Sequence, residues 1–271
     1  MHDLKAAPAT LGKVAFFGGI YSNHLALEAA IRLARTRGVD AMWALGDFGA
    51  FGPHPDRSVE LLMEHGVQAI QGNYEESLST GAEDCHCGYT DPRDNHYAQI
   101  SYDYTFEHTS DAYKRWMGTL PKAARLEVGG QRLRLCHGSP RQINEFLWAS
   151  NTPTPFIERM LKDEDADLVV CTHTGIHWQR RDADGRGVVN VGALGRPPND
   201  GTTNVWFAIL SAKAGGGVDV EFVPVYYDHG LLARQMAQEG LPQEFIETIE
   251  TGWWTTCLEI LPARERAAGR Y

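Results

Sequence analysis

Residues 13–34, KVAFFGGIYSNHLALEAAIRLA, read as a strand that runs through two glycines into a helix. The first part is a short, continuous apolar run. The second carries apolar residues at helical spacing, and Asn23 stands before it as a helix-starting residue. The same unit returns downstream. AMWALG (41–46) is a second strand, a Gly/Pro loop covers 46–55, and PDRSVELLMEHG (55–66) opens on proline as helices often do. VQAIQG (67–72) is a third strand, so the first 72 residues spell βαβαβ, with right-handed crossovers expected. The strands lack polar alternation, as parallel strands covered on both faces do.

Beyond residue 73 the rhythm breaks. Residues 74–109 are polar and loop-like, and carry CHCGY (85–89), HYAQISYDY (96–104) and His108. An insert of that length in a compact domain is functional or partly structured. Then come SDAYKRWMGTLP (110–121), a helix with a serine cap, and ARLEVGGQRLRLCHGSP (124–140), a hairpin turning at Gly129-Gly130. TPFIERMLKDEDADLVVCT (154–172) gives a further helix and buried strand. GRGVVNVG, VWFAIL and VDVEFVPVYY make the end of the core strand-rich, and a helical tail begins near 229. No internal repeat, low-complexity tract or linker divides the chain. The expected organisation is an N-terminal tail (1–12), one α/β domain (13–228), and a C-terminal helical extension (229–271) that either joins that domain or forms a dimer contact.

Charge narrows the partners. A net charge of −10 disfavours a nucleic-acid backbone, whose binding is driven by Lys and Arg releasing counterions. Any phosphate handled here is small or held by metal. No apolar run reaches the length of a membrane span, and VAFFGGI lacks a basic leader and a small-residue cleavage site, so no membrane partner and a cytoplasmic location are expected. The five cysteines (85, 87, 136, 171, 257) are unevenly spaced in a chain too large to need staples, and are read as reduced.

The chemistry lies at the strand ends. Asp47 (LGDFGAFGP), Asn73 (QGNYEE), His137 (LCHGSP) and His173 (CTHTGIHW) each follow an apolar strand. In an open α/β sheet the carboxyl ends of strands converge on one crevice. One carboxylate, one amide oxygen and two imidazoles suit zinc, manganese or iron. Any one of these residues alone is an ordinary loop or core residue. Four together, in this order and with their glycines, are not.

With those motifs the chain resembles the calcineurin-like metallophosphoesterases, in particular their small bacterial phosphodiesterase branch. The family order is D-x-H, G-D, G-N-H-[DE], H-G and G-H-T-H. Here Gly46-Asp47, Gly72-Asn73, HGSP from 137 and His173-Thr174 match it, and NVGALGRPPNDG from 190 looks like the family's N-P-G-S loop with its Arg-Asp-Gly sequel. The resemblance covers about residues 13–225. It implies a four-layer α/β/β/α sandwich of mixed sheets with helices outside, the insert following the third strand.

It also implies a divided metal site. Asp47, Asn73, His137 and His173 stand where the family holds one metal. The ligands unique to the other metal fall on Gly19, Tyr21 and Gly175, and the G-N-H histidine is Tyr74. The resemblance therefore implies a hydrolase of phosphoesters with one divalent ion (Mn, Zn or Fe), in which Tyr74, Tyr21 or His24 help position the substrate. Arg141 and Arg196, by their own chemistry, offer bidentate contacts to an anionic group or serve as structural ties. A tyrosine, with an ordinary pKa of about 10, is a poorer acid than histidine. Three alternatives stay open. The lost site is rebuilt from His24, His177, Cys85, His86, Cys87 or His96; the fold is an inactive binding scaffold; or the space left by Gly19 and Gly175 takes a bulky, non-phosphate ligand. Cys136 and Cys171 are read as core. Trp253 and Trp254 either dock on the chain's own surface, form a homo-oligomer contact, or lid the crevice.

Overall fold

A computed structural model describes residues 11–271. The expected tail at 1–12 lies almost wholly outside the described residues. The leading unit folds as read: β1 (Lys13–Phe17), α1 (His24–Thr36), β2 (Ala41–Ala44), α2 (Pro55–Glu64) and β3 (Gln68–Ala69). Asn23 caps α1, its side chain accepting from the Ala26 N–H. α3 (Asn73–Thr80), α4 (Pro92–His108) and α5 (Asp111–Met117) follow. The hairpin β4 (Ala123–Val128) and β5 (Gln131–Cys136) turns at Gly129 and Gly130, both at positive φ as such turns require. α6 (Thr154–Asp163), β6 (Leu168–Cys171), β7 (Trp178–Arg181), β8 (Gly187–Asn190), β9 (Val205–Ala212) and β10 (Val218–Val225) complete the core, and α7 (His229–Gln238), α8 (Gln243–Thr251) and α9 (Ala263–Ala268) form the tail.

Two five-stranded mixed sheets result, ordered β10-β9-β1-β2-β3 and β4-β5-β6-β8-β7. Side-chain alternation stacks them. Val14 and Phe16 of β1 meet Leu133 and Leu135 of β5 and Leu168 and Val170 of β6 in a core between the sheets. The opposite face of β1, Ala15 and Phe17, packs under α1 and α2. Val169 and Cys171 of β6 face Ile157, Met160 and Leu161 of α6. Each central strand is thus covered on both faces, which is why its sequence shows no polar period. The layers run α/β/β/α. No helix among the described residues is long and apolar enough to cross a membrane.

Two readings need correction, and one strand went unread. The insert is not loop-like: α3 and α4 occupy most of it, α4 starting where the Asp91 side chain accepts from the N–H groups of Arg93 and Asp94 with Pro92 at the first helical position. Two of the five cysteines are not reduced: Cys85 is joined to Cys87, with His86 between them at positive φ. The strand β7 had no clear apolar signal, because only Trp178 of its four residues is buried.

The tail folds onto its own chain. Leu232, Met236, Phe245 and Ile249 join the core beneath the first sheet's helices. Trp254 is 1% exposed, packed with Trp148 and Leu261. Its indole N–H donates to the Pro197 carbonyl at 2.6 Å.

Candidate metal centre

The loop after β2 places the central carboxylate. Asp47 is buried at φ 56, a left-handed conformation uncommon outside glycine and frequent at functional sites. Its neighbour across the crevice must be glycine: a Cβ on Gly72 would lie 2.4 Å from Asp47 Oδ1 and 2.9 Å from His137 Cε1. The two strand-end loops approach that closely only because both the G-D and G-N pairs lack a side chain at that point.

Glu75, which the sequence reading gave no role, holds this arrangement. From the first turn of α3 its carboxylate accepts from the N–H groups of Asp47 (2.7 Å), Phe48 (2.8 Å) and Gly72 (2.8 Å). It is fully buried. Burial, then the Asp47 charge, push its pKa up to about 7 against the three N–H donors. The acidic position closing the G-N-H-[DE] pattern was the available signal for it.

The ligand atoms are oriented from behind. His137 donates from Nδ1 to the Leu45 carbonyl at 2.6 Å, which fixes the tautomer and turns Nε2 inward. Nε2 lies 3.2 Å from Asp47 Oδ2 and 3.1 Å from His173 Nδ1. His173, at φ 69, stacks on Phe146 with centroids 4.3 Å apart. One atom from each of Asp47, His137 and His173 lies within 4.8 Å of the others, and all three residues are buried. Asn73 donates from Nδ2 to the Cys85 carbonyl at 2.8 Å, while its Oδ1 is buried without a partner. A buried amide oxygen without a hydrogen bond, on the residue before the Tyr74 N–H that donates to Asp47 Oδ1 at 3.3 Å, is what a divalent cation would satisfy.

Electrostatics agree with the geometry. Burial pulls Asp47 upward, but the charge and hydrogen bond of His137, then His173, outweigh it and hold the carboxyl below its usual range. Burial lowers His137, yet Asp47 leaves it above its ordinary value. Burial and then His137 drive His173 down to about 3, so it is a neutral imidazole.

Beside this cluster opens a narrow pocket lined by Asp47, His173, Tyr21, Tyr74, Tyr89 and Arg196 among others. Tyr74 is buried, its hydroxyl 2.9 Å from Ser101 Oγ, which also accepts from the Phe51 N–H at 2.8 Å. Burial pushes the Tyr74 phenol well above its ordinary value. Phe245 and Cys257 of the tail line the same pocket, so the extension closes one side of it.

The positions of the missing ligands are filled by aromatic rings. A Cβ on Gly19 would lie 2.5 Å from Tyr21 Cε1, and a Cβ on Gly175 would lie 3.0 Å from Trp254 Cη2. The space that the alternative of a bulky ligand relied on is taken up: the phenol ring lies over one glycine and the indole over the other.

Other candidates lie elsewhere. His24 faces His54, with ring centroids 5.6 Å apart, and does not line the pocket. Arg141 is mostly exposed, paired with Glu145 and stacked on Phe156, because a carboxylate on its own turn claims it. His177 packs on Trp206 and Phe222. His86 and His96 are exposed, and the Cys85–Cys87 bond removes both thiolates. Among the described residues no His, Cys, Asp or Glu cluster other than Asp47, His137 and His173 gathers at metal-holding distance. Tyr89 and Ser101 entered the pocket without a motif to announce them.

Stacked mixed sheets with this donor cluster at their strand ends place the chain among the metallophosphoesterases. The calcineurin-like phosphoesterase superfamily domain matches residues 13–215, and the chain belongs to that superfamily. An uncharacterized protein of Methanocaldococcus jannaschii is 23% identical over 256 residues, covering 88% of this chain and 98% of its own. A hypothetical protein from Pyrococcus horikoshii superposes with TM-score 0.74 at 22% identity, covering 90% and 99% of the two chains. A metallophosphoesterase from Sphaerobacter thermophilus superposes with TM-score 0.67 at 23% identity, covering 89% and 99%. These structural likenesses carry the fold.

Proposed function

We propose that this protein is a metal-dependent phosphoester hydrolase with one divalent ion per chain, held by Asp47, Asn73, His137 and His173. The observation that carries the reading is the buried Asp47–His137–His173 cluster within 4.8 Å, together with the buried, partnerless Asn73 Oδ1. The nitrogen and oxygen donors suit Mn, Zn or Fe. When bound, such an ion supplies Lewis-acid polarisation of a phosphoryl oxygen and a lowered pKa for water.

The chain's own residues do the rest. Glu75 fixes the Asp47 loop by its three N–H acceptor contacts. The Tyr74 hydroxyl, positioned by Ser101, stands in the pocket as a neutral phenol that donates a hydrogen bond to the substrate or leaving group. Tail residues Phe245 and Cys257 exclude water from one wall.

Elemental analysis of the purified protein tests this. A metal-to-protein ratio near one, lost in Asp47→Asn together with phosphoesterase activity, is expected. A ratio near zero with no hydrolysis of phosphomonoesters or phosphodiesters contradicts it and leaves the binding-scaffold reading.

A further inference from the structure

One charged group in the pocket has no counterion. Arg196 is 7% exposed and lines the pocket beside Tyr21 and Asp47. Its guanidinium lies 3.5 Å over the Trp254 ring and 5.5 Å from that of Phe51, and its Nε has no hydrogen-bond partner. No carboxylate pairs with it among the described residues. The nearby Asp47 is committed to His137. By contrast the buried Arg134 is paired with Glu164 at 3.0 Å. A desolvated guanidinium without an anion is costly, and stacking on an indole offsets only part of that cost.

The position is held deliberately. The N–H groups of Leu194 and Gly195 both donate to the Gly19 carbonyl, at 2.9 and 2.8 Å. The Asn23 amide donates to the Gly195 carbonyl at 3.1 Å. On the far side the Trp254 indole binds the Pro197 carbonyl, and the Trp254 N–H donates to Asn199 Oδ1 at 2.8 Å. The loop bearing Arg196 is thus clamped between the strand-end glycine that lost a ligand and the indole that covers the other.

We propose that Arg196, with the hydroxyls of Tyr21 and Tyr89, forms an oxyanion subsite for the substrate's phosphoryl group, a fixed organic cation on the side of the crevice where the family's other metal ligands are missing. Resting on the one-metal reading above, it names what the other half of the crevice binds. The guanidinium is donor-only, and each phenol carries an O–H that can donate to an anion's oxygen. A guanidinium offers a forked donor pair matched to two oxygens of one tetrahedral anion. The apolar walls around it, Phe51 and Phe245, strengthen that attraction by excluding water.

The test is calorimetric titration of inorganic phosphate into the full chain stripped of metal by chelator, with chloride at equal ionic strength as the control. Wild-type protein is expected to bind phosphate without metal. Arg196→Met, which keeps a chain over Trp254 and removes the charge, should weaken binding at least ~10-fold, and Tyr89→Phe ~3- to 10-fold. Metal content should stay unchanged in both variants. Absence of phosphate binding in the chelated wild type, or equal affinity in Arg196→Met, overturns the proposal. If Arg196→Met fails to fold, Tyr89→Phe decides, and unchanged affinity there overturns it. The two readings fail separately. Arg196-dependent phosphate binding with a metal ratio near zero sinks the metalloenzyme alone, and a ratio near one with an indifferent Arg196→Met sinks the subsite alone.

Discussion

The crevice has two lobes built by opposite means around one carboxylate. In the Asp47–His137–His173 lobe, His137 and Asn73 are tied to backbone carbonyls on their outer side, and His173 is held by stacking on Phe146. The carbonyls are those of Leu45 for His137 and Cys85 for Asn73. In the Tyr21–Arg196–Trp254 lobe, aromatic rings occupy the ligand positions, and a guanidinium and phenol hydroxyls offer N–H and O–H donors. Convergent acceptors suit a cation, and convergent donors suit an anion. The loss of three ligands therefore does not leave a hole. It changes the sign of what that half of the crevice can hold.

The comparison can be broken most forcefully at Trp254, which walls the second lobe. Trp254→Ala removes a fully buried ring and should cost ~3–5 kcal/mol of stability, read by denaturant melts. Its loss should leave the first lobe's metal ratio intact in whatever fraction stays folded. A loss of metal binding as large as the loss of stability would show that the lobes are one unit.

Glu75→Gln strikes the first lobe. An amide cannot accept from three N–H groups without turning its own NH₂ against one, so a cost of ~1–3 kcal/mol is expected. The pH trend is diagnostic. Glu75 sits at about 7 in the folded chain, above the ordinary carboxylate value, so the folded state binds the extra proton between those values. Wild-type stability from this group therefore falls as pH rises from about 4.5 to 7. The Gln variant lacks that term. In metal-free protein the gap between the two should narrow as pH rises, and a widening gap would reverse the sign assigned to Glu75.

Gly19→Ala should cost ~1–3 kcal/mol, because its methyl would meet the Tyr21 ring at 2.5 Å. Trimming the ring by Tyr21→Ala in the same chain should recover most of that. Additive costs in the double mutant cycle would mean that the ring does not fill the ligand position. The smallest effect belongs to Tyr74→Phe. It removes one hydrogen bond to Ser101 and should cost ~0.5–1.5 kcal/mol, with metal content unchanged and hydrolysis slowed.

Much of the first lobe was legible because its parts are local. KVAFFGG and AMWALG are apolar runs that end at the residues carrying the chemistry, and buried parallel strands must deliver their ends to one edge. The second lobe joins a long-range contact to a local backbone turn, and no spacing encodes either. Trp254 and Gly175 are far apart in the chain, and Tyr21 folds back over Gly19 only because Tyr21 and Ser22 both take positive φ. Arg196 was visible as a candidate beside a glycine. That it lacks a counterion could not be read, since any of the chain's carboxylates was free to pair with it. Arg141, equally plausible in sequence, is claimed by Glu145 four residues on in the same loop. The insert misled because its helices begin at Asp91-Pro92 and Gly72-Asn73, caps that look like turns until the chain beyond them is counted.

The most direct test of the two-lobe account is anomalous diffraction from crystals grown with manganese and inorganic phosphate. The account predicts one manganese peak, ligated by Asp47, Asn73, His137 and His173, and a phosphate whose oxygens accept from Arg196. A second manganese peak beside Gly19 and Tyr21, or a phosphate that avoids Arg196, would contradict it.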